Sequence, residues 1–136
     1  MFRLAKILNT GVGYAEPITG TAEEGRSFKY GALFTITNGV IESASALTRP
    51  THICGKNVKI GKDRRVTFYP IGENMVFSAP IDVEPEGMGV GTRLTLGVDG
   101  ESFALSLGAE AENGPATVHD MAGATKIGDT IYVIFK

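Results

Sequence analysis

The chain has 136 residues, 43% hydrophobic and 21% charged, with a formal net charge of −2. This length fits one domain, and the apolar fraction suffices for a core, so wholesale disorder is excluded. The acidic balance disfavours a general nucleic-acid binder, the single Cys54 excludes an intrachain disulfide and a Cys-rich zinc site, and no apolar run reaches the roughly 18 residues of a membrane-spanning helix.

Residues 1–21 read as an extended arm or first strand. Residues 2–8 alternate loosely, with charges interleaved among apolar residues, unlike the apolar core of a signal peptide. A soluble, intracellularly made protein is therefore expected. Three glycines and Pro17 in residues 10–21 make an extended loop. Residues 22–136 read as a single β domain. Its first hairpin runs from Tyr30 to Thr37, turns at Asn38-Gly39 and returns through Val40-Ile41. Asn-Gly supplies the positive φ angles of a type I′ turn, whose twist matches the flanking strands. Ala32, Phe34 and Ile36 point to one face, and Leu33, Thr35 and Thr37 to the other.

Arg49-Pro50 enforces an extended backbone ahead of a short strand over residues 51–54. Further strands are expected over 56–60 and 64–69, and a bent one over 74–83 around Pro80. Residues 85–91 form a connecting loop. A second hairpin pairs residues 93–98 with 101–107 across Asp99-Gly100. Residues 109–113 form a helical turn or loop, and 116–119 a short strand. Residues 130–135 are almost continuously apolar, the pattern of a strand buried on both faces. Turn signals every 8–12 residues and the 18 glycines point to an all-β fold, a compact small barrel or sandwich of short strands. No sequence repeat is evident; the two hairpins share only their turn chemistry.

Charge is segregated along the chain. From residue 43 to 70 there are six bases (Arg49, Lys56, Lys59, Lys62, Arg64, Arg65) against Asp63, a balance of +5. From 71 to 115 there are eight acids, Glu84 and Glu86 among them, against Arg93, a balance of −7. Solvated loops of either sign account for such runs; complementary faces that meet between copies of the chain are the sharper reading. The candidate contact residues are Arg49, Lys56, Lys59, Lys62, Arg64, Arg65, Glu84 and Glu86.

Chemistry-bearing motifs are scarce. Gly87-Met-Gly-Val-Gly91 precedes a strand instead of the helix that a phosphate loop needs. His52 and Cys54 share a strand face, but zinc takes three or four ligands. Glu84 with Glu86 and Glu110 with Glu112 are carboxylate pairs without the aromatic platform of a glycosidase, since Trp is absent. The basic cluster followed by Phe68 and Tyr69 leaves an oligonucleotide-binding barrel as an alternative. An enzyme using His119 or Cys54 is a further alternative.

Residues 28–60 resemble small phage head decoration (cement) proteins. In those, a strand carrying Gly-Ala-Leu is followed by a Gly turn and a run of small residues. Lys29-Tyr-Gly-Ala-Leu-Phe-Thr-Ile-Thr-Asn-Gly-Val-Ile41 and Ser43-Ala-Ser-Ala46 match that order. Arg49-Pro-Thr-His-Ile53 is similar to the strand that returns to the barrel core, and Gly128–Phe135 to a closing strand. About half of the chain takes part. The resemblance implies a structural protein of the virion surface, made in the host cytoplasm, without catalytic residues, cofactor or metal. Its implied partners are the major capsid protein and further copies of itself.

Overall fold

In the computed structural model of the protein, residues 2–7, 18–21, 27–37, 40–55, 57–59, 65–98 and 104–136 are described. Among them the chain is all-β, with thirteen short strands and no helix. The abundance of glycine and β-branched residues is the local cause: neither suits a helix interior, and the second packs well on a pleated surface. The strands are β1 (Arg3–Ile7), β2 (Ile18–Thr21), β3 (Ser27–Phe28), β4 (Leu33–Thr37), β5 (Val40–Ser43), β6 (His52–Cys54) and β7 (Val58–Lys59). They continue as β8 (Arg65–Pro70), β9 (Met75–Pro80), β10 (Arg93–Val98), β11 (Ala104–Glu110), β12 (Ala116–Asp120) and β13 (Thr130–Phe135).

Eleven strands form one continuous sheet that curls into two small barrels. In the first lobe β2 pairs with β5 in parallel, at Thr21 and Val40. The ring then continues antiparallel through β4, β6 and β8 and back to β2. In the second lobe Ile81, just past β9, pairs in parallel with Leu107 of β11. That ring continues antiparallel through β10, β12 and β13 and back to β9. Numbering the five strands of each ring in chain order, both read 1-3-2-4-5-1, with the parallel pairing between strands 1 and 3. The two lobes have one topology, a repetition that the sequence does not display.

Each barrel has its own core. Phe28, Ala32, Phe34, Ile41, Cys54 and Phe68 fill the first, with Ile36 and Leu105 packed against them. The second is larger and centres on Phe77, Leu94, Leu96, Leu107, Val118, Ile131, Val133 and Phe135. The alternation along β4 divides its side chains between the two: Phe34 enters the first core and Leu33 the second. Ile53 and Cys54 of β6 divide in the same way. The lobes therefore share walls. β1 lies on the outer edge of β9, with Arg3 opposite Ser78, and carries Phe2 into the second core beside Phe135.

Several local expectations need correction. β13 is not buried on both faces: Ile131, Val133 and Phe135 are fully buried, whereas Tyr132 and Ile134 are half-buried on the outer side of the barrel wall. The second hairpin does not follow two-residue-turn register, because Val98 pairs with Ala104 and the register shifts beside Gly97. Asp99-Gly100 itself lies outside the described residues, as does Asn38-Gly39. The pairing of Thr37 with Val40 leaves two residues for the first connection. Residues 109–110 extend β11 instead of starting a helical turn, and a hydrogen-bonded turn follows in which the Gly114 amide donates to the Ala111 carbonyl.

Candidate functional site

The candidate contact residues separate by lobe. Arg49 is exposed at the approach to β6, where its guanidinium meets Glu73 at 3.1 Å. Glu73 lies between β8 and β9, so this ion pair ties the two lobes at the surface. Both side chains are about half exposed, so the pair contributes at most about 1 kcal/mol. Lys59 sits on β7, paired with Ser27 of β3, and Arg65 opens β8 opposite Thr21. Lys56, Lys62 and Arg64 lie outside the described residues.

Glu84 and Glu86 are exposed and flank a buried Pro85, which fixes the loop between them to the body. The loop is well tied. The Met88 amide donates to the Pro85 carbonyl at 3.0 Å, the Gly89 amide to Thr92 Oγ1 at 3.0 Å, and the Gly91 amide to the Val118 carbonyl at 2.9 Å. Gly87 and Gly91 take positive φ angles of 82° and 91°, the left-handed region that favours glycine. This loop feeds strand β10, so its glycines serve turns.

Arg3 and Lys6 of β1 add two cations to the second lobe. By sequence, residues 18–70 hold eight basic and four acidic side chains, a balance of +4. Residues 71–136 hold three basic and ten acidic, a balance of −7. Arg93, one of those three cations, is directed at backbone: its Nε and Nη2 donate to the carbonyls of Gly114 and Lys136 at 3.0 and 3.1 Å. Glu84, Glu86, Glu110 and Glu112 are all exposed.

Cys54 and His119 lie in different lobes. Cys54 is buried in the first core. His119 occupies the irregular step in the pairing of β12 with β13, on an open groove with Arg3, Ser78, Asp120 and Tyr132. Asp120 accepts a hydrogen bond from the Ala122 amide at 2.8 Å and so closes the turn after β12. No group of three or more His, Cys, Asp or Glu gathers as metal ligands among the described residues. Phe68, read beside the basic cluster as a stacking aromatic, is instead fully buried; only its neighbour Tyr69 is exposed.

His52 is the titratable group whose surroundings are most specific. It stacks on Phe34 at 6.4 Å and an interplanar angle of 8°, with Phe68 also at 6.4 Å, and its Nδ1 lies 2.7 Å from Thr51 Oγ1. Burial lowers its pKa below the ordinary imidazole value. The folded state therefore binds fewer protons than the unfolded one. The stability contributed is fully present above the ordinary value of about 6.5 and is lost as pH falls below it. Thermal melts between about pH 7.5 and 5 should show a steeper decline for the wild type than for His52→Phe. Parallel profiles would refute this.

Sequence reasoning missed two features of the site. One is the lobe boundary that coincides with the change of charge. The other is Arg3, which reaches from β1 across to the Tyr30 ring of the first lobe, 6.0 Å from its centroid. No protein-family model matches the chain, and no curated protein matches it significantly.

Proposed function

We propose that the protein is a structural component of a phage virion, which decorates the capsid and stabilises it by binding capsomers and further copies of itself. The observation that carries the reading is the display of the Glu84 and Glu86 carboxylates on an exposed loop of the second barrel that backbone hydrogen bonds tie down. A surface of that kind suits recognition of another protein surface. The resemblance of residues 28–60 and 128–135 to head decoration proteins supports the same reading. The groove at His119 is open to solvent and its acid Asp120 is engaged in a turn, which favours a binding role over catalysis.

The test is co-sedimentation of the purified chain with empty capsids of the phage that encodes it. Binding should weaken as salt rises from low to moderate concentration, because exposed charges are screened over about 8 Å at physiological ionic strength. An Arg65→Glu variant should bind more weakly. Single-stranded DNA serves as the control, motivated by Tyr69 and Arg65 on one strand. Salt-dependent DNA binding without capsid binding would replace this reading with the oligonucleotide-binding barrel.

A further inference from the structure

The β9–β10 and β12–β13 connections emerge at the same end of the second barrel, because β12 runs antiparallel to both β10 and β13, and β13 antiparallel to β9. Both connections are tied down. The Gly91 amide donates to the Val118 carbonyl at 2.9 Å and the Gly128 amide to the Ile81 carbonyl at 2.8 Å. Asp129 Oδ2 accepts from the Thr125 and Lys126 amides at 2.9 and 3.2 Å. Met88, Met121 and Ala124 are half-buried and pack on the second core from this end. Each connection then raises one aliphatic side chain on a tight turn. The Thr92 amide donates to the Gly89 carbonyl around Val90-Gly91, and the Asp129 amide to the Lys126 carbonyl around Ile127-Gly128. Gly91 and Gly128 have φ angles of 91° and 93°, the glycine position of a type II turn. Val90 is 77% exposed and Ile127 52%.

Turn chemistry asks for neither aliphatic residue, since the position before the glycine of such a turn favours proline. Single exposed aliphatic residues are ordinary; two of them on fixed turns, beside half-buried Met88 and Met121, make a preorganised apolar surface. Gly89 is an independent sign. Unlike Gly87 and Gly91 it lies outside the left-handed region, and an added Cβ would meet nothing within 4 Å. The fold gives no reason for glycine there, whereas a partner closing on the loop does. Charge names the partner's chemistry. Glu84 and Glu86 are exposed on this end, while Asp120 and Asp129 are engaged in turns. Lys126 is the one cation in residues 81–92 and 121–129. Such a surface disfavours a second copy of itself and an anionic lipid layer, and favours apolar groups flanked by cations.

We propose that this barrel end docks a protein segment whose aliphatic side chains are flanked by Lys or Arg. Val90 and Ile127 meet the aliphatic part, and Glu84 and Glu86 the cations. This deepens the decoration reading, on which the partner's identity as a capsomer rests.

The experiment has two arms. The first is co-sedimentation with empty capsids at low salt. Val90→Ser combined with Ile127→Ser should weaken binding by about tenfold or more, the effect of removing central apolar contacts. Glu84→Lys with Glu86→Lys should weaken it too, and so should Gly89→Gln, which sets a long side chain against the partner. These variants should melt like the wild type, because the side chains changed are exposed and a Cβ at Gly89 has room. Glu110→Lys with Glu112→Lys makes the same charge change at the opposite end of the barrel, where β12 begins, and should change binding by no more than about twofold. The second arm needs no capsid. The isotopically labelled full chain is titrated with a short capped peptide of alternating lysine and leucine, and with one of alternating glutamate and leucine. The lysine peptide alone should shift amide resonances, and chiefly those of residues 84–92 and 121–129.

The proposal is overturned if the lysine peptide leaves both loops unmoved, or if the glutamate peptide moves them as far. It is also overturned if the wild type binds capsids and Val90→Ser with Ile127→Ser binds them equally well. Equal losses from the charge changes at the two ends would show that overall charge is read, not this surface. A wild type that dimerises, with the dimer abolished by Val90→Ser and Ile127→Ser, would put a second copy in the partner's place and overturn the occupant named here. A wild type that ignores capsids yet responds to the lysine peptide at these loops refutes decoration and leaves the docking surface standing. Capsid binding indifferent to every change on the two loops does the reverse.

Discussion

Phe34→Ala is expected to destabilise the protein by about 3–5 kcal/mol, a large part of the stability of an ordinary domain. Phe34 is fully buried, with its ring edge-on to Phe68 at 4.4 Å and to Phe28 at 5.9 Å. Its neighbours Phe28 and Phe68 are themselves close-packed in the cluster, so they collapse into the cavity only in part. Part of the loss is specific to the aromatic geometry, since edge-to-face pairs contribute beyond the area they bury. Urea unfolding monitored by circular dichroism measures the change. A loss under about 1 kcal/mol would show that the three rings do not form the core. Leu33→Ala, one residue earlier, removes a side chain from the other core and should cost about 2–5 kcal/mol.

Gly114→Ala should be damaging for a different reason. Its φ is not in the left-handed region, so conformational freedom is not the issue. A Cβ at this position would lie 2.8 Å from the Leu94 nitrogen and closer still to its carbonyl carbon and oxygen. These are backbone atoms of β10, which cannot rotate aside as a side chain can. Gly114 is also fixed by the hydrogen bond its N–H donates to the Ala111 carbonyl and by the one its own carbonyl accepts from the Arg93 guanidinium. The methyl group can enter only if β10 or the turn shifts, which puts the loss at the upper end of the roughly 1–3 kcal/mol that overpacking costs. Gly123→Ala gives the comparison. That residue has a φ of 73° with nothing within 4 Å of a Cβ, so only left-handed strain of about 1–2 kcal/mol applies. Melting temperatures should rank wild type above Gly123→Ala above Gly114→Ala. The opposite order of the two variants would mean that φ outweighs the close approach.

Much of the architecture was legible because strands alternate and turns are chemically marked. The strands at 33–37, 65–70, 75–80 and 130–135 fall where periodicity, Pro and Gly place them. The partnerships were not legible, because ring order is a property of backbone pairing between distant segments. One signal was available in hindsight. Each lobe places an Asn-Gly or Asp-Gly dipeptide after its second strand, and a buried proline, Pro50 or Pro115, just before its fourth. The side chains on equivalent strands differ, which hides the duplication from residue-by-residue comparison. The charge runs were legible as runs, but their division by lobe needed the fold. Burial of Phe68 was masked by its charged neighbours: on a barrel strand, inward and outward positions are adjacent in sequence.

The contact of Phe2 with Phe135 has a consequence for synthesis. Residue 2 is made long before its partner Phe135, so the second barrel cannot seal until Phe135 has left the ribosome. The first barrel can close earlier, but it then presents Leu33, Ala44 and Ile53 with no core to receive them. The nascent chain thus carries an unsatisfied apolar seam and a waiting strand over the same interval. Both are the features through which unfinished β proteins cross-pair with their neighbours. Slow, crowded production should therefore yield aggregates of half-made chains, even where the finished protein is soluble and stable.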